Sequence, residues 1–196
     1  MFAKVAMAVG ILLFIMVGQW AIETLGEQHY EIAENNTIFD VAHKLLPDIH
    51  EHEWIINVLP VVLVVWMIML PDSYDMLKSV LVLYLITLTI RALTAVSTIL
   101  PKHEKCTVGS KFFNIFQGGG CYDKIFSGHA AFVTLLLLVL LKAGHMSAAV
   151  FWILLAANTF AILATRSHYT VDVVLGILMS YLVFDGKYDT RIFRII

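Results

Sequence analysis

An all-α integral membrane protein, a bundle of six transmembrane helices, is the architecture this sequence predicts. The 196 residues are 60% hydrophobic and 14% charged, against roughly half apolar and a quarter charged in soluble domains. Mean hydropathy is +0.83. Six stretches are apolar enough, and about long enough, to cross a hydrocarbon layer. No repeat, low-complexity tract or linker interrupts them, so residues 1–196 read as a single membrane domain. A net charge of −2 without a basic patch argues against nucleic-acid binding.

The first stretch, Val5–Ile22, follows Lys4 and could be mistaken for a signal peptide. Ala21-Ile22-Glu23-Thr24 is a poor cleavage site, so a retained anchor is expected. Trp54–Leu70 and Leu77–Leu100 form the second and third spans, and Arg91 is the one arginine inside a span. Ile125–Leu141 and Ser147–Thr165 supply the fourth and fifth. Tyr169–Phe184, the sixth, is short at about 16 residues against the usual ~20.

An even number of spans puts both termini on one side of the membrane. The loops Glu23–Glu53, Pro101–Lys124 and Arg166–His168 then share the opposite side. His129 opens span four, His168 precedes span six, Asp172 opens span six, and Arg91 lies nearer the same end of span three. Lysines and arginines are balanced between the two sides, so charge does not set the orientation. Cys106 and Cys121 share one loop, where a disulfide survives in an oxidising compartment, and Asn35-Asn36-Thr37 is a glycosylation sequon. Both favour an exoplasmic or lumenal site.

His129, His168 and Asp172 are the candidate catalytic residues. Ionisable groups at the edge of a span are expensive and rarely idle. His168 and Asp172 are four apart, which on a helix puts them on one face about 6 Å apart along the axis. The carboxylate can then hold one ring nitrogen, fix the tautomer and leave the other nitrogen to attack phosphorus. A structural His–Asp pair tying two spans together is the plainer alternative. Ser127-Gly128-His129 reads as a helix start: Ser127 caps, Gly128 lets a group approach the backbone, and the first N–H groups attract phosphate. His129 there could protonate a leaving alkoxide and deprotonate an acceptor hydroxyl.

Arg91 should meet a phosphate or a counter-ion, with Asp123 and Asp172 available. Arg166 could clamp phosphate or snorkel to the interface. Asp123, six residues before His129, could orient it, bind a headgroup or simply be solvated. His43, His50 and His52 lie among Glu51 and Glu53, but their spacing fits no zinc site. Residues 43–53 read as a solvated interfacial segment, and no metal or cofactor is expected.

At these residues the chain resembles the sphingomyelin synthase family, a branch of the type-2 phosphatidic acid phosphatase superfamily. The family pattern Cys-Gly-Asp, three residues, Ser-Gly-His is similar to Cys121-Tyr122-Asp123 through Ser127-Gly128-His129, with Tyr122 replacing glycine. His-Tyr-(Ser/Thr)-x-Asp-Val is matched by His168 through Val173. An Arg-Arg pair followed by Tyr-Arg-x-(Ile/Val)-Thr is degraded to Lys78-Ser79 and Ile90-Arg91-Ala92-Leu93-Thr94, and Leu46-Pro47-Asp48 resembles the Leu-Pro-Asp motif. The likeness spans about residues 45–183. It implies a metal-independent, two-step transfer of a phospho-headgroup from a glycerophospholipid donor to ceramide, releasing diacylglycerol. It implies a phospho-histidine on His168, with His129 and Asp172 assisting and Arg91, Asp48, Asp123, Ser127, Gly128 and Arg166 as candidate substrate contacts. Arg166 resembles a feature of the protozoan inositol phosphorylceramide synthases, and choline, ethanolamine and inositol all stay open as headgroups.

Two rivals remain. A lipid phosphate phosphatase would use water as acceptor, but its Lys-x6-Arg-Pro and Ser-Arg-x5-His signatures are absent. A lipid-binding or scaffolding protein would have no reason to keep the whole His/His/Asp set.

Overall fold

The computed structural model describes residues 2–30, 38, 40–97, 99, 122 and 125–188. Helices account for the regular structure of these residues, and no strand occurs among them. In chain order they are α1 (Phe2–Tyr30), α2 (Val41–Leu45), a 3₁₀ helix (His50–Asn57), α3 (Val58–Ile68), α4 (Ser73–Ser97), α5 (Gly128–Lys142), α6 (Ala148–Ala164) and α7 (Thr170–Tyr188). Each of the six apolar stretches is helical. The second begins as a tighter 3₁₀ helix rather than as the start of α3. The sixth continues beyond Phe184 to Tyr188, giving 19 residues.

Among the described residues, two helical runs are long and apolar enough to cross a membrane: His50–Ile68 and Ser73–Ser97. α5 and α6 are shorter apolar helices, of 15 and 17 residues. Large apolar side chains face outward, including Val61, Val65 and Ile68 on α3, Trp152 and Ile153 on α6, and Val174 and Leu178 on α7. On α7 the opposite, buried face carries Asp172, Gly176 and Ser180. Apolar residues outside with polar and small ones inside fit a membrane protein, because lipid solvates the former and interhelical contacts satisfy the latter.

The packing divides the chain into two compact units. The first comprises residues 1–40 and 88–126. Ile22 of α1, Ala95 of α4 and Tyr122 form its buried cluster. The Glu23 carboxylate accepts the Tyr122 N–H at 2.8 Å. A Cβ on Gly26 would overlap the Tyr122 ring, so that close approach needs glycine. Arg91 is buried, and its Nε donates to the Phe126 carbonyl at 2.6 Å.

The second unit comprises residues 41–87 and 127–196. α5 is its centre: ten of its fifteen residues are buried, from Ala130 through Leu140. A helix that is apolar on every side must be surrounded, and α3, α6 and α7 pack around it. Leu135 to Leu138 meet Leu63 and Met67 of α3, Leu83 of α4, Phe151 of α6 and Phe184 of α7 in one core. A smaller cluster of Ile56, Ala130, Ile162, Leu163 and Val173 closes one end. It joins the 3₁₀ helix, the starts of α5 and α7 and the end of α6.

α5 and α7 cross most closely at Gly176. A Cβ there would stand 2.7 Å from the Ser127 carbonyl oxygen and 3.3 Å from the Ala130 Cβ. Backbone cannot yield as a flexible side chain can. Gly176→Ala should therefore cost about 1–3 kcal/mol in thermal or denaturant unfolding, with a loss of turnover beyond what the lower stability explains. Unchanged stability and turnover would show that the two helix starts tolerate being pushed apart.

Candidate active site

The polar residues of the second unit gather around that smaller cluster. Ser127 precedes α5 in an extended conformation (φ −60°, ψ 113°), and its hydroxyl accepts the Ala130 N–H at 3.2 Å. This is the N-cap expected from the sequence. The Ser127 N–H donates to the Asp172 carbonyl at 3.0 Å. One backbone hydrogen bond thus joins the cap of the His129 helix to the first turn of the Asp172 helix.

Asp172 is fully buried and His168 nearly so. Asp172 Oδ2 accepts the Tyr169 N–H at 3.0 Å and stands 3.6 Å from His168 Nδ1. Tyr169 precedes α7 and Asp172 lies three positions on, so the first contact is half of a capping box. The second is ion-pair distance rather than a tight hydrogen bond. The carboxylate thus faces His168, as the spacing suggested, and also secures the chain entering α7, a task the sequence did not reveal.

His129 lies in the first turn of α5, and its Nε2 is 2.9 Å from Asn57 Oδ1. Asn57 ends the 3₁₀ helix next to α3, but its side chain makes no cap there. A residue type favoured for helix capping instead meets the candidate acid–base.

Arg166 has φ +61°, the left-handed region that non-glycine residues seldom occupy. Its guanidinium is buried and donates to the carbonyls of Leu163 (3.2 Å) and Leu46 (2.9 Å). It thereby adds a charged donor at the last turn of α6, where a cation is favoured. Arg166 braces the turn before His168 rather than reaching outward. Asp48 Oδ1 accepts from the His50 N–H (3.1 Å) and meets His50 Nδ1 (2.9 Å), fixing the turn into the 3₁₀ helix.

Residues 43–53 are exposed or half-buried, as a solvated interfacial segment would be, and they also make specific contacts that the sequence did not imply. His43 Nε2 is 3.0 Å from the His168 carbonyl oxygen, and its ring lies against Tyr169 with centroids 5.5 Å apart. The Ile49 N–H donates to the Ala164 carbonyl at 2.9 Å. The Ser167 hydroxyl donates to Glu53 Oε1 at 3.0 Å. This stretch straps across the turn that carries His168. Its polar residues carried no local pattern to announce this, because the partners of His43 and Glu53 lie more than a hundred positions away.

Of the candidate residues, Ser127, Gly128, His129, Arg166, His168, Asp172 and Asp48 all belong to the second unit. Arg91 belongs to the first. Asp123, the cysteines Cys106 and Cys121 and the sequon Asn35-Asn36-Thr37 lie outside the described residues. Among the described residues, no group of three or more His, Cys, Asp or Glu side chains is arranged to hold a metal ion.

Comparison with known proteins agrees with this end of the molecule. Residues 120–190 match the family described as PAP2 superfamily C-terminal, a stretch that holds all three candidate catalytic residues. The match supports the type-2 phosphatidic acid phosphatase superfamily, whose members act on phosphoryl groups of lipids. Over 79 residues the chain is 33% identical to Protein PHLOEM UNLOADING MODULATOR of Arabidopsis thaliana. That alignment covers 39% of this chain and 19% of the relative, so the chain matches about a fifth of the relative's length.

Proposed function

We propose that this chain is a multi-pass membrane phosphotransferase that moves a phospho-headgroup from a glycerophospholipid to ceramide. One observation carries the reading: a buried His168–Asp172 pair sits on a turn hydrogen-bonded to the cap of the His129 helix. The match of residues 120–190 supports phosphoryl chemistry at this place in the chain.

With Asp172 facing Nδ1, His168 presents Nε2 as the nucleophile. Its lone pair attacks phosphorus, the P–O bond to diacylglycerol breaks, and His129 gives the departing alkoxide a proton. Asp172 offsets the positive charge developing on the His168 ring. In the second step the ceramide primary hydroxyl attacks the phospho-histidine, His129 removes its proton, and the N–P bond breaks. The cycle leaves His129 and His168 as they began and needs no metal or cofactor.

The Gly128 and His129 N–H groups, at the positive end of α5, favour the phosphate oxygens. The Ser127 N–H is already given to Asp172. Arg166 and Asp48 support the site through the turns they hold. In this reading all six apolar stretches span, with the site exoplasmic or lumenal.

The test uses purified protein in detergent with labelled phosphatidylcholine, phosphatidylethanolamine or phosphatidylinositol, each with and without ceramide. Label appearing in a ceramide product, and only when ceramide is present, is the expected result. Phospho-headgroup released to water, or phosphate released from phosphatidate, would replace the transferase by a hydrolase of the same superfamily. No turnover with any donor would sink the enzymatic reading.

A further inference from the structure

The strap meets His129 at a residue that the proposed chemistry does not use. We infer that Asn57 is a positioning residue that sets the tautomer of His129. The inference rests on the proposed role of His129 as acid and base, and it goes beyond that role by naming what prepares the ring for it.

A neutral imidazole carries one hydrogen, on Nδ1 or on Nε2, and the partner of either nitrogen decides which. Asn57 Oδ1 stands 2.9 Å from Nε2, and an amide oxygen can only accept. Nε2 therefore bears the hydrogen, and proton exchange with substrate falls to Nδ1. The placement of Asn57 is well supported. It lies where the 3₁₀ helix meets α3, one residue beyond the buried Ile56. Ile56 is packed with Ala130, the residue after His129, in the cluster beneath the site. The same strap reaches the other histidine, through His43 to the His168 carbonyl. One segment thus contacts the backbone of His168 and the ring of His129, and Asn57 is its contact with a ring nitrogen of His129.

Two variants separate this role from a structural one. Asn57→Leu removes the acceptor. Asn57→Asp keeps an acceptor and has no donor, so it preserves the Nε2–H form if the oxygen faces the ring. Nitrogen-15 NMR of histidine-labelled full-length protein in detergent micelles reads the tautomer without any turnover, with the His129 signals identified by their loss in His129→Ala. Wild type and Asn57→Asp should show Nε2 protonated in the neutral ring, and Asn57→Leu should show a mixture or Nδ1 protonated. Nδ1 protonated in wild type, or signals unmoved by Asn57→Leu, would overturn the inference whatever the enzyme does.

Turnover supplies the second readout. Asn57→Leu should lower kcat by about 10- to 100-fold with little change in KM, the scale typical of residues that orient a reactive group. Asn57→Asp should recover most of that loss. In a His129→Ala background Asn57→Leu should cost nothing further, because its effect passes through the ring. An equal loss in both backgrounds would make Asn57 merely structural. If His129→Ala itself keeps full turnover, the proposed function of His129 fails, while the tautomer measurement still decides the role of Asn57.

Discussion

Replacing His168 by alanine is expected to abolish transfer of headgroup to acceptor, lowering turnover by roughly 10⁴-fold or more. The size of the effect follows from what is lost. The ring supplies the atom that binds phosphorus, and alanine puts no nucleophile in its place. The fold should survive, because the His168 backbone carbonyl that accepts from His43 is untouched by the substitution, although the ring beside Asp172 is lost. The residue is 8% exposed, and losing the ring beside the buried Asp172 carboxylate should lower the melting temperature without abolishing cooperative unfolding. A His168→Ala protein that unfolds with wild-type cooperativity and still transfers label at a near-normal rate would remove His168 from the chemistry.

Asp172→Asn should lower turnover on the order of 10⁴-fold while leaving the fold nearly intact. The buried carboxylate does two things from one oxygen, capping the Tyr169 N–H at 3.0 Å and facing His168 Nδ1 at 3.6 Å. An asparagine keeps an oxygen for the cap. It loses the negative charge that steadies the His168 ring as positive charge develops, and its amide NH2 can turn the ring to the wrong tautomer. Asp172→Ala separates the two tasks, because it loses the cap as well, at a further cost of about 0.5–2 kcal/mol in stability. The expected pattern is therefore two equally inactive proteins, of which only the alanine variant is clearly destabilised. Equal destabilisation of both with substantial activity in each would reduce Asp172 to a helix cap.

The parts of this molecule that were legible in its sequence are those set by local pattern. Apolar runs announced helices because a backbone in an apolar setting must satisfy its own hydrogen bonds. Ser127 announced the start of α5 because a hydroxyl followed by a helical run has an N–H to accept. The spacing of His168 and Asp172 suggested two residues on one helical face, but His168 lies in the turn before α7, and that turn brings its ring to 3.6 Å from the carboxylate. The strap was not legible for the complementary reason. His43, Glu53 and Asn57 find their partners at His168, Ser167 and His129, far along the chain. The segment runs from the short α2 into a 3₁₀ helix with a break at His52 (φ −108°, ψ 31°), so neither a helical nor a strand period marks it. Arg166 shows a third case. Its charge suggested a phosphate ligand or a surface residue, and only its left-handed backbone and its reach to Leu163 and Leu46 reveal a brace.

The central claim is that His168 takes the headgroup covalently before any acceptor receives it, and trapping that species tests it most directly. Protein mixed with labelled donor lipid in the absence of ceramide, quenched within one turnover and digested under alkaline conditions that preserve N–P bonds, should yield an adduct of the headgroup mass on the peptide containing His168. Adding ceramide before the quench should discharge it, with stoichiometric appearance of labelled product. Product formed at full rate with no adduct at any point in the time course, or an adduct on another residue, would contradict the claim.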